Sequence, residues 1–259
     1  MAFFAFTSLL EALKRLRRND ASLTVLNLTF NHIGDEGAAA LADALKANTC
    51  LQKLHLDWND IGPVGATALA DALKVNPYLL VVNLNNNNIG PAGAAALADA
   101  LRGNTWLQTL GLGMNNIGPA GAAALANALK GTCIIHLMLN NNPVGDEGAA
   151  ALATLLAGLT WLQKLEVQDC DIGHVGAAAL AEGLEANGTL TLLDLCENDI
   201  GPDGARALAD ALKVNGSLTL LDLCENDIGD AAAALADAVA ITNAERVDNK
   251  VAVFHGEDE

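Results

Sequence analysis

The sequence has few aromatic side chains, which make up only 3% of its 259 residues, although hydrophobic residues reach 52%. A folded core must therefore be built from Leu, Ile, Val and Ala. Long apolar runs are also missing, since no stretch approaches the ~20 residues that a transmembrane helix needs. This composition fits neither a disordered chain nor a disulfide scaffold.

Positive charge is scarce as well. Lys and Arg number 14 against 31 Asp and Glu, which gives a formal net charge of −17. A field of this sign repels nucleic acid and anionic membrane surfaces, so we expect neither as a partner. It attracts proteins that present a basic face.

Targeting signals and disulfides are not evident either. The opening MAFFAFTSLLEALKRLRR has no basic residue before its short apolar segment, so a secretory signal is not expected. A targeting helix is the alternative, because the basic residues cluster. The five cysteines are odd in number, and three of them (Cys50, Cys133, Cys170) are expected at buried positions. A reduced, cytoplasmic setting is the simplest interpretation.

What the sequence contains in abundance is a repeat. The phrase LTLLDLCENDIG occurs at 190–201 and again at 218–229. Leu or Ile opens a similar phrase eight times, at positions 23, 51, 79, 107, 134, 162, 190 and 218. The steps are equal apart from the one that ends at 134, which is shorter by a single residue. We number each repeat from this opening residue, which is position 1.

Each repeat predicts one strand and one helix. Leucines at positions 4 and 6, such as Leu54 and Leu56, have the period of a short strand with one buried face. The GAAALADALK phrase that follows is rich in helix formers, and its leucines lie on one face. Asn residues shortly after the helix can end it by adopting the left-handed backbone conformation; they are Asn48, Asn76, Asn104 and Asn215.

Position 9 predicts a second feature. It is Asn in seven repeats and Cys170 in the sixth. An amide at this point can bond to backbone groups where the chain turns inward, and stacked repeats would place these residues in a ladder. Within the third repeat we therefore expect Leu84 to be buried, Asn87 to be satisfied internally and Asn85 to be exposed.

A strand and a helix of this size cannot bury their apolar sides alone, so the repeats must stack. Strands pack ~4.8 Å apart and helices ~8–10 Å apart, which forces the stack to curve with the sheet inside. The predicted fold is an α/β solenoid, a curved horseshoe of about eight strand–helix repeats with a concave parallel sheet and convex helices.

The predicted organisation has three parts. Residues 1–22 form a capping helix that opens with the capping box Ser8–Glu11, residues 23–245 form the eight repeats, and residues 246–259 form a last strand and an acidic tail. Val251, Val253 and Phe254 are the apolar residues of that strand. Atypical terminal units are expected in a solenoid.

The phrase L-x-x-L-x-L-x-x-N/C-x-I/L-G followed by a full helix resembles the leucine-rich repeats of the ribonuclease-inhibitor class. That class includes the Ran GTPase-activating protein and the sensor ends of nucleotide-binding immune receptors. The resemblance implies the horseshoe fold. It does not imply one function, because the class serves many.

The candidate binding surface is the concave face of the sheet, where the repeats differ most. It changes along the chain from aromatic through amide to acidic. The predicted protein-binding residues are Phe30, His55, Asp57, Trp58, Asn85, Met114, His136, Glu166, Asp169, Asp194, Glu197, Asp222 and Glu225. We expect them to bind a protein partner, with the chain acting as a monomer.

No catalytic site or cofactor is expected. His55 and His136 would lie three strands apart, about 14 Å, which is too far for joint action. No Ser or Cys adjoins a His as a nucleophile and base would require. Two other functions stay open at this stage: a GTPase-activating regulator, by analogy with the class, and a purely structural spacer.

The duplicated phrase would stack Asp194 beside Asp222 and Cys196 beside Cys224. Like charges adjacent on a sheet are unfavourable and favour a nearby cation. The pattern allows a solvated charge ladder, a surface for a basic partner, or a metal site. A metal is not expected, because parallel stacking produces ladders and not a closed tetrahedral shell.

Overall fold

The computed structural model describes residues 9–245 and 252–254, with side chains described for 9–240 and 252–254. Three elements of the predicted ends fall outside these ranges: Ser8 of the capping box, Val251 of the last strand, and the acidic tail 257–259.

Helices and strands alternate along the described chain. The helices are α1 (Leu9–Arg17), α2 (Gly34–Leu45), α3 (Pro63–Leu73), α4 (Gly90–Leu101), α5 (Gly118–Ala128), α6 (Gly145–Gly158), α7 (His174–Ala186), α8 (Gly201–Val214) and α9 (Ala231–Glu245). The strands are β1 (Val25–Asn27), β2 (Lys53–His55), β3 (Val81–Asn83), β4 (Thr109–Gly111), β5 (His136–Met138), β6 (Lys164–Glu166), β7 (Leu192–Asp194), β8 (Leu220–Asp222) and β9 (Ala252–Phe254).

The nine described strands form one parallel sheet in chain order. Val25 pairs with Lys53, the residue at the same position of the next repeat, and this pairing of equivalent positions continues through β8. It holds even across the shorter step between β4 and β5, where Thr109 pairs with His136. Constant register follows from the nearly constant repeat length. The predicted α/β solenoid is confirmed.

The core lies between the sheet and the helices. Leucines at positions 4 and 6, such as Leu54 and Leu56, are buried in one hydrophobic cluster with the helix leucines Leu69 and Leu73. No aromatic residue belongs to the core of the described chain. Small side chains let the helices approach closely. A Cβ on Gly183 of α7 would lie 2.6 Å from the carbonyl oxygen of Ala153 in α6.

The position-9 ladder forms as predicted. Asn87 is buried, and its Oδ1 accepts hydrogen bonds from the backbone N–H groups of Asn59 (3.1 Å) and Ile61 (2.9 Å) in the preceding repeat. Its Nδ2 donates to the carbonyls of Leu56 (2.9 Å) and Leu84 (2.9 Å). One amide thus satisfies the turns of two repeats. In the sixth repeat the Cys170 thiol donates to the carbonyl of Leu139 instead.

The Asn residues after the helices behave differently from the prediction. Asn48, Asn76, Asn104 and Asn215 do not adopt the left-handed conformation. They are buried instead. Asn76 donates from Nδ2 to the carbonyls of Leu45 (2.7 Å) and Asn48 (3.0 Å), and its Oδ1 accepts from the N–H of Leu79 (3.1 Å). Asn48 and Asn215 likewise donate to carbonyl groups of the preceding unit, whereas the Oδ1 of Asn104 accepts from the N–H groups two and three residues later in the chain. The prediction of a left-handed stop was wrong.

The predicted burial of three cysteines holds only for Cys170, because Cys50 and Cys133 are partly exposed. Both lie at the last position of a repeat, one residue before the buried position 1. Successive side chains of an extended segment point to opposite sides, so the residue before a buried one is turned away from the core.

Two helices receive a cap from the preceding repeat. Asp35 Oδ1 accepts from the N–H groups of Gly62 (2.7 Å) and Gly65 (2.8 Å) at the start of α3. Asp146 makes the same pair of contacts with Gly173 and Gly176 at the start of α7. A carboxylate at a helix N-terminus satisfies free N–H groups and complements the helix dipole. The sequence signal is GDEG in repeats one and five, where the third and fourth repeats carry GPAG.

Candidate functional site on the sheet face

The predicted binding residues divide into two groups by position. At position 8, three residues after the end of each strand, the side chains are exposed: Phe30, Trp58, Met114, Asp169, Glu197 and Glu225. At positions 3, 5 and 7 they are only partly exposed: His55, Asp57, Asn85, His136, Glu166, Asp194 and Asp222. We call the first group, together with Asn86 and Asn141 of the third and fifth repeats, the edge row.

Every residue of the edge row has a left-handed backbone, with φ between 49° and 59°. This conformation turns the chain at the end of each strand. It costs an ordinary residue about 1–2 kcal/mol, whereas Asn adopts it readily. Phe30 and Trp58 adopt it nonetheless, and their rings stack with centroids 5.0 Å apart and an interplanar angle of 17°. They remain 58% and 46% exposed.

The amide section of the face is held by contacts between neighbouring strands. Asn85 donates from Nδ2 to Asp57 Oδ1 (2.8 Å) and accepts at Oδ1 from the N–H of Gly113 (2.8 Å). Asn85 is therefore half-buried and engaged on both sides, and the expectation that it would be exposed was wrong. Its orientation depends on a carboxylate in the preceding repeat and a glycine in the following one, which no local pattern reveals.

His136 and Glu166 form a closely coupled pair on the face. His136 Nε2 lies 2.6 Å from Glu166 Oε1, and Asn140 Nδ2 donates to Glu166 Oε2 (3.0 Å). The hydrogen bond from His136 lowers the pKa of the Glu166 carboxyl, and the bond from Asn140 lowers it further. Partial burial raises the pKa of this carboxyl, but it does not reverse the net decrease. His55 contacts Asn83 instead (3.2 Å), so the two histidines have separate partners.

The acidic end is built by the duplicated phrase. Asp194 pairs with Asp222 across β7 and β8. Burial is the main cause that raises the pKa of the Asp194 carboxyl, and the Asp222 carboxylate adds to it. Burial, followed by the Asp222 carboxylate, raises the pKa of the Cys196 thiol to about 12. Burial and the Asp222 carboxylate thus disfavour the charged form of both groups.

A wide cleft of about 530 Å³ opens along the same end, beyond the strands. Its lining is almost entirely carboxylate: Asp169, Asp171, Glu197, Asn198, Asp199 and Glu225. We call it the acidic cleft. It joins three of the predicted residues, Asp169, Glu197 and Glu225, into one surface.

Sequence reasoning missed Gln168 on this surface and a row on its opposite edge. Gln168 links the middle to the acidic end, since its backbone N–H donates to Asn140 Oδ1 (3.2 Å) and its Nε2 donates to Glu197 Oε1 (2.7 Å). Across the sheet, the last position of a repeat carries Tyr78, Trp106 and Trp161, of which Tyr78 and Trp161 are exposed. The available signal was the recurrence of aromatic residues at one repeat position.

A family model described as leucine-rich repeat matches seven stretches that together cover more than half of the chain: residues 19–42, 47–70, 75–98, 103–126, 132–153, 158–181 and 186–209. The chain belongs to the leucine-rich repeat family. Each matched stretch of this leucine-rich repeat protein contains one strand and most of the helix that follows it.

Similar solved structures cover about half of this leucine-rich repeat chain. One is "Leiomodin-1 Actin-Binding Site 2 (ABS2)", with 27% identity over 50% of this chain and 77% of the other, at a TM-score of 0.48. Another is the tropomodulin C-terminal domain of Caenorhabditis elegans, with 18% identity over 51% of this chain and 83% of the other, also at 0.48. No curated protein matches the sequence significantly.

Among the helices of residues 9–245, none combines the length and the apolar character needed to cross a membrane.

Proposed function

We propose that this chain is a non-enzymatic recognition module that binds a protein partner along its sheet face and edge row. The observation that carries the proposal is the exposed stack of Phe30 and Trp58. Leucine-rich repeats provide the rigid, extended concave surface on which such contacts can be arrayed.

The stack has no structural explanation in the core. The core of the described chain contains no aromatic residue, and Asn or Gly would fit the left-handed backbone at less cost than either ring. Retaining two strained, exposed aromatic residues side by side is understandable when they anchor a partner. Aromatic side chains supply most of the binding energy in many interfaces.

The acidic cleft favours a partner with a basic face. Its carboxylates accelerate encounter with such a partner and disfavour nucleic acid and anionic membranes. A contact that reaches from Trp58 to Glu225 would extend along β2 to β8, most of the sheet. We infer that the chain binds its partner as a monomer and acts in the cytoplasm.

The finer classification that we favour is the ribonuclease-inhibitor class, because each repeat carries a full α-helix opposite its strand. No residue in the described part of the chain favours the GTPase-activating alternative. Arg102 follows α4 and Arg206 lies on α8, and both pair with nearby aspartates on the helix side.

The test uses substitutions that the repeat itself tolerates. Asn occupies position 8 in the third and fifth repeats, so Trp58→Asn and Glu225→Asn should both preserve the left-handed turn. Val64→Asn on the exposed side of α3 is the matched control, since Val64 is 70% exposed. Partners captured from the native cell by the parent protein are identified by mass spectrometry, and their affinities for each purified variant are then measured.

We expect Trp58→Asn to weaken binding at least about fivefold, which corresponds to about 1 kcal/mol. Glu225→Asn should slow association and reduce its dependence on salt. Val64→Asn should change neither. The proposal is contradicted if a partner binds folded Trp58→Asn as tightly as the parent but binds Val64→Asn more weakly. That result would place the interface on the helices.

A further inference from the structure

The duplicated phrase places two thiols and a carboxylate in contact range of one cation. Cys196 Sγ, Cys224 Sγ and a carboxylate oxygen of Asp222 all lie within 4.8 Å of one another, and all three residues are partly exposed. None of the five cysteines forms a disulfide.

The arrangement is a triangle, not the simple ladder that parallel stacking predicts. Positions 5 and 7 of one repeat point to the same face because side chains alternate along the chain, and this places Asp222 beside Cys224. The neighbouring strand lies ~4.8 Å away and brings position 7 of the preceding repeat, Cys196, against both. Two consecutive repeats thus supply three ligand atoms.

Backbone hydrogen bonds orient these side chains. Asp222 Oδ1 accepts from the N–H of Cys224 (3.0 Å), which fixes the orientation of the carboxylate. Asp194 Oδ1 accepts from the N–H of Cys196 in the same way (3.1 Å). Contacts of this kind hold ligands in place around protein-bound metals.

We propose that Cys196, Cys224 and Asp222 form a binding site for a thiophilic divalent cation of the Zn²⁺ type. Two thiolates and one carboxylate are a donor set that suits Zn²⁺ and its analogues, whereas Mg²⁺ and Ca²⁺ require oxygen ligands throughout. Three protein ligands leave a fourth tetrahedral position open to water or to a group from a partner. This inference does not depend on the proposed protein-binding function.

The geometry requires only a small closure. Zn–S bonds of ~2.3 Å and Zn–O bonds of ~2.0–2.2 Å place tetrahedral ligands roughly 3.5–3.8 Å apart. Because the three atoms lie within 4.8 Å of one another, each distance must contract by about 1 Å at most, which rotation of partly exposed side chains can supply. The surrounding acidic residues, including Glu197 and Glu225, add a field that attracts a cation.

The experiment titrates the reduced full chain with Co²⁺ and then displaces it with Zn²⁺. One Co²⁺ per chain should produce a thiolate-to-cobalt charge-transfer band, and Zn²⁺ should abolish that band. Cys196→Ser and Cys224→Ser should each remove it, whereas the controls Cys50→Ser and Cys133→Ser should retain it. Asp194→Asn should weaken the site by about 10- to 100-fold if its carboxylate supports Cys196.

Circular dichroism checks that each variant is folded, and Cys196→Ser tests the site even if Cys224→Ser misfolds. The proposal is overturned if no charge-transfer band forms. It is also overturned if the Cys196→Ser, Cys224→Ser double variant binds Zn²⁺ as the parent does, or if millimolar Mg²⁺ displaces the ion, since either result would identify a nonspecific acidic surface.

Discussion

Four consecutive asparagines, Asn85 to Asn88, occupy four different environments, and replacing each with Ala should have four different costs. Asn87 has the largest expected effect. Its loss leaves two buried backbone N–H groups without their acceptor, those of Asn59 and Ile61. At about 1–3 kcal/mol per unsatisfied group, Asn87→Ala should lower the free energy of unfolding by about 2–6 kcal/mol.

The other three substitutions should cost less, in a defined order. Asn85→Ala removes two hydrogen bonds at a half-buried site and should cost about 1–3 kcal/mol. Asn86 has φ of 55°, so Asn86→Ala should cost about 1 kcal/mol, and Asn86→Gly should restore most of it. Asn88 is exposed, and Asn88→Ala should stay within about 0.5 kcal/mol.

Equilibrium unfolding in guanidinium chloride, followed by circular dichroism, measures these differences. Leu84→Ala provides the apolar reference in the same repeat, because Leu84 is fully buried and its truncation should cost about 2–5 kcal/mol. Equal costs for Asn87→Ala and Asn88→Ala would refute the ladder and the strand phase together. An Asn85→Ala variant as stable as Asn88→Ala would refute the contacts assigned between neighbouring strands.

Three further predictions concern a helix cap, a thiol and a carboxylate. Asp35→Ala should lower the free energy of unfolding by about 1 kcal/mol, because it removes the cap of α3, while Glu36→Ala should have little effect in the same assay. Cys170 is buried and its thiol pKa is raised to about 12, chiefly by burial, so thiol labelling should find it protected until unfolding while Cys50 reacts in the native protein. The pKa of Glu166 is lower in the folded chain than in the unfolded chain, so its stabilising contribution should be complete above the unfolded value of about 4.5 and decline as pH falls through the folded value. Glu166→Gln should reduce that acid dependence of the unfolding midpoint, and an unchanged pH profile would exclude the contribution.

The repeat period alone determined much of this protein. Leucines two apart predict the strands, leucines four apart predict the helices, and equal spacing predicts the parallel register that joins Leu193 to Leu221. Burial of Leu84 and internal bonding of Asn87 were foreseeable because both follow from one repeat and its immediate copies. These features depend on local periodicity and on stacking, which the sequence displays directly.

The tertiary structure decided what each surface side chain contacts. Asn85 lies between Asp57 and Gly113, and the rings of Phe30 and Trp58 stack on each other. In both cases the contacting residues differ in type but occupy the same position in adjacent repeats. Repeat spacing predicts that such residues are neighbours, but not their rotamers or how far each is covered. Those depend on the combined packing and hydrogen bonding of three adjacent repeats, which is a property of the folded stack.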